Sequence, residues 1–351
     1  MSGSGCWAVE NYAYRSCPQP AREFAFAVSP HNHSEHSVEN LASLNEVMKL
    51  GFMRPFRHIL QSAFGLAQVP DLNYAEVTYR PPQTVEDVFL VESSSVAPLG
   101  FDGVLVGITD HDEIAGSVEL QRKRPEDARR NPLGEELSVR FQDYLFHLGI
   151  TGLPESGVQE THANLQAAAR ANRLDDVFEI LRASGCLVVF NHPLVPWGKD
   201  RGRKIPAEEL LHRYGWAIHA LEYNGMRSRE ENDRVLQLAQ SVHKPVIGGG
   251  DSHLLLASSV LSASQAGSFA DFAAEVKEDR AVPLITPMYF APLGWKIFLR
   301  VLYFMAHYRQ IGHFRGQPVR DLLAARTVLL DPIGYVSRGF LCLTSALGLV
   351  R

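Results

Sequence analysis

The chain has 351 residues, of which 46% are hydrophobic and 21% charged, a balance that is ordinary for a globular protein and excludes a disordered or fibrous one. Its 34 Lys and Arg residues and 39 Asp and Glu residues give a net charge of −5, which argues against a general nucleic-acid scaffold. A local positive site for a small anion stays compatible with this charge. The length suits roughly two domains, or one barrel of about 250 residues with an extension.

Cysteine usage and the N-terminus indicate a cytoplasmic protein. The four cysteines, Cys6, Cys17, Cys186 and Cys342, form no Cys-x-x-Cys pair, so we expect reduced, structural thiols. No basic segment followed by an apolar run begins the chain, so the sequence predicts no signal peptide. No charge-free apolar stretch reaches the roughly 18 residues of a spanning helix.

Short apolar runs alternate with helical patterns along most of the chain. The predicted strands lie at 24–28, 103–109, 186–190, 218–222 and 245–247, and the predicted helices at 41–64, 84–97, 174–183 and 229–242. Residues 65–82 are richer in Pro and polar residues, which predicts a loop. The alternation predicts a parallel α/β sheet or barrel.

Residues 286–351 have a different pattern. Aromatic and apolar residues mix with Lys and Arg over 290–308, and a second apolar stretch covers 333–350. This pattern predicts two amphipathic helices that pack on the barrel or on a second subunit. An interfacial membrane anchor is the alternative, because aromatic and basic residues suit that role.

Four histidines lie just past the C-terminal end of a predicted strand: His33, His111, His192 and His253. The carboxyl ends of the strands are where α/β barrels build active sites, and packing alone does not explain four histidines at one rim. His31 and His33 are two residues apart in an extended segment, so both imidazoles lie on one side. Together these histidines indicate a metal site.

Six short motifs occur in a fixed order around these histidines. They are His31-Asn32-His33-Ser34-Glu35-His36-Ser37, Thr109-Asp110-His111-Asp112, Gly134-Glu135-Glu136-Leu137-Ser138, His147-Leu148-Gly149, His192-Pro193 and Gly250-Asp251-Ser252-His253. In this order they resemble the polymerase and histidinol phosphatase (PHP) family of metal-dependent phosphoesterases. Each motif alone is weak, but the ordered set is specific and covers residues 24–285.

The resemblance implies an α/β fold, a distorted (β/α)7 PHP-type barrel with a helical C-terminal extension. The barrel would occupy 1–285, with an insertion at 40–82, and the extension 286–351. The resemblance also implies two or three divalent metal ions at the C-terminal rim. Imidazole and carboxylate ligands together suit Mn, Zn or Fe and argue against calcium.

The ligands of two metals follow from the resemblance by position. The first metal would take His31, His33, Glu136 and Asp251. Glu136 would bridge to a second metal, which His147 and His192 would also hold.

A third metal would take His111, His253 and one residue of the first motif. Many family members have Asp right after the serine of that motif, where this chain has Val38. Glu39, one residue further on, is the preferred ligand, and His36 is the alternative.

The resemblance implies hydrolysis of phosphoesters by a metal-activated hydroxide, with no protein nucleophile. The predicted catalytic residues are Asp110, His111, Glu136 and His253. Asp110, Asn191 and Asn224 are expected to orient an imidazole or a water. Arg227 and Arg229 are predicted to contact substrate phosphate, and a solvated loop is the alternative for them. The basic run 199–204 is either a rim that attracts a polyanion or a solvated face.

The expected partner is a small phosphorylated substrate, an organic phosphate or a nucleotide, with no stable nucleic-acid complex. Membrane contact by the C-terminal helices and homo-oligomerisation stay open. An amidohydrolase-like metal hydrolase is the nearest enzymatic alternative. Its bridging ligand is commonly a carbamylated lysine, so a glutamate at position 136 favours the phosphoesterase. A non-catalytic PHP interaction module is the other alternative, but such modules usually lose ligands that this chain keeps.

Overall fold

The computed structural model describes residues 5–40, 77–81, 83–195, 197–198, 205–253, 257–292, 294–296 and 323–325. The chain divides into two compact units. Unit 1 consists of Met1–Ser37, Val85–His253 and Ala257–Phe290, and unit 2 of Val38–Thr84, Leu254–Leu256 and Ala291–Arg351.

The described chain contains strands and α-helices, with both kinds of element present from residue 85 to residue 285. The strands are β1 (Cys6–Glu10), β2 (Ala13–Cys17), β3 (Phe26–Ser29), β4 (Glu39–Asn40), β5 (Val77–Tyr79), β6 (Gly103–Val106), β7 (Gly134–Phe141), β8 (Tyr144–Thr151), β9 (Leu187–Asn191), β10 (Trp197–Gly198), β11 (Ala220–Asn224), β12 (Val246–Gly249), β13 (Val260–Ser264), β14 (Val282–Ile285) and β15 (Leu323–Ala325). The α-helices are α1 (Val85–Val96), α2 (Ala115–Lys123), α3 (Val158–Arg170), α4 (Leu174–Ser184), α5 (Ala207–Tyr214), α6 (Arg229–Ser241) and α7 (Phe269–Lys277).

The first sheet of unit 1 has the strand order β2-β1-β14-β13-β3-β6. Strands β3 and β6 are parallel, and Ser29 at the end of β3 lies beside Val106 at the end of β6. The segments that follow these two strands therefore leave the sheet at the same edge. They carry the first two sequence motifs.

The second sheet of unit 1 has the order β10-β8-β9-β11-β12, with β7 paired to β8. Strands β9, β11 and β12 are parallel to one another, whereas β8 is antiparallel to both of its neighbours β7 and β9. The expectation of a parallel sheet is therefore wrong for the β7–β8 hairpin. A short turn at residues 142–143 connects these strands and reverses the chain. The expectation is also wrong for the first sheet, where among the described strands only β3 and β6 pair in parallel.

Helix α4 illustrates how the helices cover the sheets. Leu174, Val177, Phe178 and Leu181 are buried at helical spacing. Gly185 ends the helix in the left-handed conformation, with φ of 69°, which glycine adopts without steric cost. Phe178 and Phe190 belong to the largest cluster of buried side chains, which fixes the helix on the sheet behind β9.

The two sheets of unit 1 meet at two isolated parallel bridges, Asn32 with Ser252 and His111 with Glu136. The mixed α/β class predicted from the sequence is confirmed. The described residues form no continuous closed ladder, so the (β/α)7 barrel is not confirmed and stays a prediction.

Unit 2 contains a three-stranded sheet in the order β15-β5-β4. Strand β5 lies within the segment 65–82, for which the sequence predicts a loop. The sheet joins a strand of the predicted insertion to a strand of the predicted extension. Both flanking pairs are antiparallel, and the division of the chain at residue 285 stays a prediction.

Several predicted segments lie outside the described residues. They are the helix at 41–64, the basic run 199–204, most of the helix at 290–308 and the apolar stretch 333–350. In the part of the chain that the structure describes, no helix combines the length and apolar character that crossing a membrane requires.

Three cysteines, Cys6, Cys17 and Cys186, are buried and free, as the sequence predicts. Burial is the main cause that raises the pKa of Cys17 to about 11, and it raises the pKa of the other two thiols as well. These thiols are therefore poor nucleophiles. Cys342 lies outside the described residues.

Candidate metal centre

The first motif follows β3 and presents two buried histidines side by side. The Nε2 atoms of His31 and His33 lie 3.1 Å apart. Asn32 points the other way, and its Nδ2 donates hydrogen bonds to the carbonyl oxygens of Ser29 at 3.1 Å and Gly107 at 3.0 Å. The two-residue period of extended backbone thus separates two imidazoles from one structural amide.

The third motif lies in β7 and separates two glutamates in the same way. Glu135 faces α3, where it accepts hydrogen bonds from His162 at 2.9 Å and Gln166 at 2.8 Å. Glu136 faces the opposite side of the strand. Its N–H donates to the carbonyl oxygen of Asp110 at 3.0 Å, which fixes its carboxylate near the second motif.

One oxygen of Glu136 faces three imidazoles. Its Oε2 lies 3.2 Å from Nε2 of His31, 3.3 Å from Nε2 of His33 and 3.1 Å from Nδ1 of His111. This oxygen is buried, yet among the described residues none makes a well-aligned hydrogen bond to it. A buried carboxylate oxygen surrounded by nitrogen atoms at these distances fits a shared metal ion, which would satisfy all of them.

The other oxygen of Glu136 faces a second set of side chains. Its Oε1 lies 3.1 Å from Nε2 of His192 and 3.4 Å from Nδ1 of His147. Asn191 donates to the same oxygen at 2.9 Å. Glu136 therefore has imidazoles on both of its oxygens.

Asp251, in the last motif, lies close to histidines of the first motif and to His253. Its Oδ1 lies 2.7 Å from Nε2 of His253, 3.6 Å from Nε2 of His33 and 3.8 Å from Nε2 of His31. Its Oδ2 accepts a hydrogen bond from Asn224 at 3.1 Å. Asn224 therefore contacts a candidate ligand, but the partner is a carboxylate and not the imidazole or water expected from the sequence.

The carboxylates and imidazoles of this centre shift one another's pKa values toward their charged forms. Burial alone raises the pKa of Glu136, but the imidazoles of His31, His111 and His147 hold that pKa well below its usual range. Burial lowers the pKa of His31, but the carboxylates of Glu222 and Glu136 outweigh it and raise that pKa well above the ordinary value. A metal ion must therefore displace protons to bind here.

The structure brings most of the predicted ligands together. Three groups of possible ligand atoms within 4.8 Å of one another are His31, His33 and Asp251; His31, Glu136 and His192; and His111, Glu136 and His147. The predicted first ligand set is assembled around His31. His147 and His192 share Oε1 of Glu136, as the predicted second set requires.

The predicted third set is less compact. His111 lies close to Glu136, whereas Nε2 of His253 contacts Asp251, and the two imidazole centroids are 6.3 Å apart. Glu39 begins β4 of unit 2, so its role as a ligand stays a prediction.

His36, the alternative third ligand, has a partner elsewhere. Its Nε2 lies 2.7 Å from a carboxylate oxygen of Glu119 on α2, and Lys123 pairs with the other oxygen of Glu119 at 2.9 Å. His36 therefore belongs to an ion-pair group at the surface of α2.

Two of the candidate ligands have a rare backbone conformation. His192 has φ of 29° and Asp251 has φ of 51°, both in the region that favours glycine. Strained residues of this kind cluster at functional sites, where the surrounding structure holds them.

Asp110 supports the first motif instead of lining the centre. Its carboxylate accepts hydrogen bonds from the N–H of Ser34 at 2.5 Å and from the Ser34 hydroxyl at 2.7 Å. A Cβ at Gly116 would overlap with this carboxylate, so glycine is needed there. The structure gives Asp110 a positioning role on the segment that carries His33, and its catalytic role stays a prediction.

The two predicted phosphate-binding arginines separate in the structure. The side chain of Arg227 is 21% exposed, and its Nη2 lies 3.8 Å from Oδ2 of Asp251. The guanidinium of Arg229 lies 4.7 Å from the ring centroid of Tyr14 and pairs with Asp233 at 3.6 Å. Only Arg227 lies beside the candidate ligands.

Sequence reasoning missed one buried acid in this centre, Glu222 in β11. Its Oε1 lies 2.6 Å from Nδ1 of His31, on the side of the ring opposite Glu136. The available signal was a carboxylate within the otherwise buried strand Ala220–Asn224. A charged side chain is seldom fully buried without a partner, so this position indicates one.

Comparisons with known proteins give distant structural likenesses. No family model and no curated protein matches the chain. A Bifidobacterium adolescentis protein with the provisional name of a metal-dependent phosphoesterase is 18% identical, covering 65% of this chain and 87% of its own, with a TM-score of 0.38. A two-domain Bacteroides vulgatus protein, containing a predicted PHP-like metal-dependent phosphoesterase, is 13% identical, covering 74% and 64%, with a TM-score of 0.44.

A third likeness is to an amidohydrolase from Chromobacterium violaceum with bound sulfate. It is 16% identical and covers 64% of this chain and 87% of its own, with a TM-score of 0.38. Such low scores carry no argument about function, which therefore depends on the residues of this chain.

Proposed function

We propose that unit 1 is a metal-dependent hydrolase that cleaves phosphoester bonds in a small organic phosphate or nucleotide. The observation that supports this most directly is the position of Glu136, whose two carboxylate oxygens each lie within 3.4 Å of imidazole nitrogens from different motifs. A carboxylate shared in this way is the arrangement expected of a bridging ligand between paired ions.

The ligand sets follow from these contacts. One ion would be held by His31, His33, Asp251 and Glu136, and the other by His147, His192 and Glu136. When bound, paired divalent ions supply positive charge at the phosphoryl oxygens and lower the pKa of a bound water toward neutrality.

Residues at the mouth of the centre would bind and orient the ester. The side chains of His111 and His253 are 18% and 22% exposed, more than those of the other candidate ligands. Imidazole transfers protons near neutral pH, so these two are the candidates to protonate the leaving alcohol when no third ion is bound to them. The guanidinium of Arg227 would hold a phosphate oxygen through charge-assisted hydrogen bonds.

An amidohydrolase-like reaction is the second candidate, because such enzymes also use His-x-His and a late Asp. The bridging position here is taken by Glu136 and not by a lysine, and Asp251 is paired with His253 at 2.7 Å. Both features favour phosphoester hydrolysis.

The test combines metal content with turnover on one sample. The full chain is purified without chelator, and its metal content per chain is measured by elemental analysis. Turnover is measured on the same sample as phosphate release from monoesters and as release of the leaving alcohol from diesters. We expect two to three equivalents of Mn, Zn or Fe, with turnover. Metal without phosphate release, combined with hydrolysis of amides or lactones, would favour the second candidate. Failure to bind metal after reloading would contradict both and favour an interaction module.

A further inference from the structure

Glu222 is a buried carboxylate surrounded by three hydrogen-bond donors. Its Oε1 lies 2.6 Å from Nδ1 of His31, and its Oε2 accepts hydrogen bonds from the N–H of His192 at 3.0 Å and from Nδ2 of Asn224 at 2.8 Å. An ionised carboxylate can only accept hydrogen bonds. Because Oε2 already accepts from two N–H groups, an arrangement in which Nδ1 of His31 donates to Oε1 uses the whole group as an acceptor.

This contact decides which nitrogen of His31 can bind a metal ion. A neutral imidazole has one donor and one acceptor nitrogen, so a proton on Nδ1 leaves the lone pair on Nε2. Nε2 is the atom that lies 3.2 Å from Oε2 of Glu136 and 3.8 Å from Oδ1 of Asp251. The lone pair of His31 thus points toward the candidate carboxylate ligands.

Asn224 extends the influence of Glu222 to a second ligand. Its Nδ2 donates to Glu222 and also to Oδ2 of Asp251 at 3.1 Å. Its Oδ1 accepts a hydrogen bond from the N–H of Met226 at 2.7 Å, which fixes the orientation of the amide. One carboxylate therefore orients His31 directly and Asp251 through a single amide.

We propose that Glu222 is a positioning residue that holds His31 in its metal-binding tautomer and, through Asn224, holds Asp251 in place for the same ion. This inference rests on the metal centre of the proposed function. Glu222 itself is not a ligand, because both of its oxygens already accept hydrogen bonds from donors of other residues.

The isosteric variant Glu222→Gln keeps the shape of the side chain but changes its charge and its capacity to accept hydrogen bonds. A glutamine offers one acceptor oxygen and one NH2 group to three donors. If the NH2 group faces His31, Nδ1 must accept, and the proton moves to Nε2, where it blocks coordination. If the NH2 group faces Asn224 instead, two donors oppose each other and the hydrogen bond to Asp251 is disturbed.

The experiment compares metal binding by the full-length wild type and its variants. The chain is stripped and reloaded with Co(II), the visible spectrum is recorded, and affinity is measured by competition with a chelator. For Glu222→Gln we expect an altered spectrum and a loss of about 10- to 100-fold in the affinity of one ion. Glu222→Asp, which retains an acceptor-only carboxylate, should recover part of both.

A matched control is Glu275→Gln on α7. Glu275 is also buried, and it accepts hydrogen bonds from the Ser264 hydroxyl and from the N–H of Gln265. It should retain the Co(II) spectrum and affinity of the wild type. Thermal unfolding of each variant shows whether it is folded, and Glu222→Asp carries the comparison if Glu222→Gln does not fold.

The outcomes separate this inference from the proposed function. Wild-type affinity and spectrum in Glu222→Gln would overturn the inference, and so would an equal loss in Glu275→Gln. A wild type that binds no Co(II) would overturn the inference together with the metal centre. A wild type that binds metal but hydrolyses neither monoesters nor diesters would overturn only the phosphoester reaction.

Discussion

Gly249 and Glu222 lie on the neighbouring parallel strands β12 and β11, and a Cβ at position 249 would overlap with the Glu222 carboxylate. A similar relationship exists at Gly149, where a Cβ would lie 2.7 Å from Oδ1 of Asn191. Asn191 is the side chain that donates to Glu136. Glycines thus leave room for the polar residues that orient the candidate ligands.

Gly249→Ala should therefore reduce metal binding without changing any ligand. The added methyl group must displace Glu222 and with it the Nδ1 contact of His31. We expect destabilisation of about 1–3 kcal/mol, typical of overpacking, and reduced metal content. Elemental analysis and chemical denaturation measure the two effects.

Gly267→Ala is the control for this variant. A Cβ there would lie 3.3 Å from the ring of Phe26, away from the candidate ligands. It should retain full metal content. Full metal content in Gly249→Ala as well would contradict the packing argument.

Arg227→Met should weaken substrate binding while metal content is unchanged. A hydrogen bond to a charged group contributes roughly 1.5–3 kcal/mol, so kcat/KM for a phosphoester should fall about 10- to 100-fold. Steady-state kinetics with metal analysis on the same sample measures this.

Arg229→Met provides the comparison, because its guanidinium contacts Tyr14 and Asp233. Its kcat/KM should stay within about twofold of the wild type, with a stability change below roughly 1 kcal/mol. Equal losses of kcat/KM in both variants would contradict the assignment of Arg227 alone to the substrate.

Glu39→Ala should lower the occupancy of a third metal ion, whereas His36→Ala should not. Nε2 of His36 already contacts a carboxylate oxygen of Glu119 at 2.7 Å, so a metal ion would have to compete with that contact. Metal content per chain distinguishes the two variants. Unchanged content in Glu39→Ala with a loss in His36→Ala would reverse the assignment.

His219 should make stability depend on pH outside the metal centre. Burial, with help from Lys277 and Lys244, lowers its pKa from 6.5 to about 4, and its Nδ1 accepts a hydrogen bond from the N–H of Val188 at 3.0 Å. The unfolded chain therefore binds more protons than the folded chain between these values. Its contribution is complete above pH 6.5 and is lost as the pH falls toward 4.

His219→Gln removes this titration, so the difference in unfolding free energy between wild type and variant should change with pH between about 4 and 6.5. Urea denaturation at several pH values measures it. His212→Gln, at an exposed position, is the control and should leave the slope unchanged. A pH-independent difference for His219→Gln would contradict the assignment.

The sequence predicts much of the parallel part of the fold. The predicted strand 186–190 and helix 229–242 correspond to Leu187–Asn191 and Arg229–Ser241. Local patterns suffice there, because the apolar residues that define each element are close together in the chain. The β7–β8 hairpin was not predicted, since Glu135, Glu136 and His147 interrupt its apolar alternation.

In the candidate site, too, some residues could be predicted from local sequence and others could not. The ordered motifs predict the candidate ligands, because each motif is short and contiguous. Glu222 could not be assigned from the sequence, since its partner His31 is 191 residues away in the chain. Nor could the different surroundings of the Arg227 and Arg229 side chains be predicted, because they depend on the direction in which each side chain leaves the start of α6.

The central claim is that Glu136 is shared by two metal ions, and Glu136→Ala tests it most directly. Glu135→Gln is the matched control, because Glu135 is the adjacent buried glutamate and faces His162 and Gln166 instead. Metal content and phosphate release are measured on both variants and the wild type. The account predicts that Glu136→Ala loses bound metal and hydrolysis together, while Glu135→Gln keeps both. Full metal content in a folded Glu136→Ala protein would contradict it.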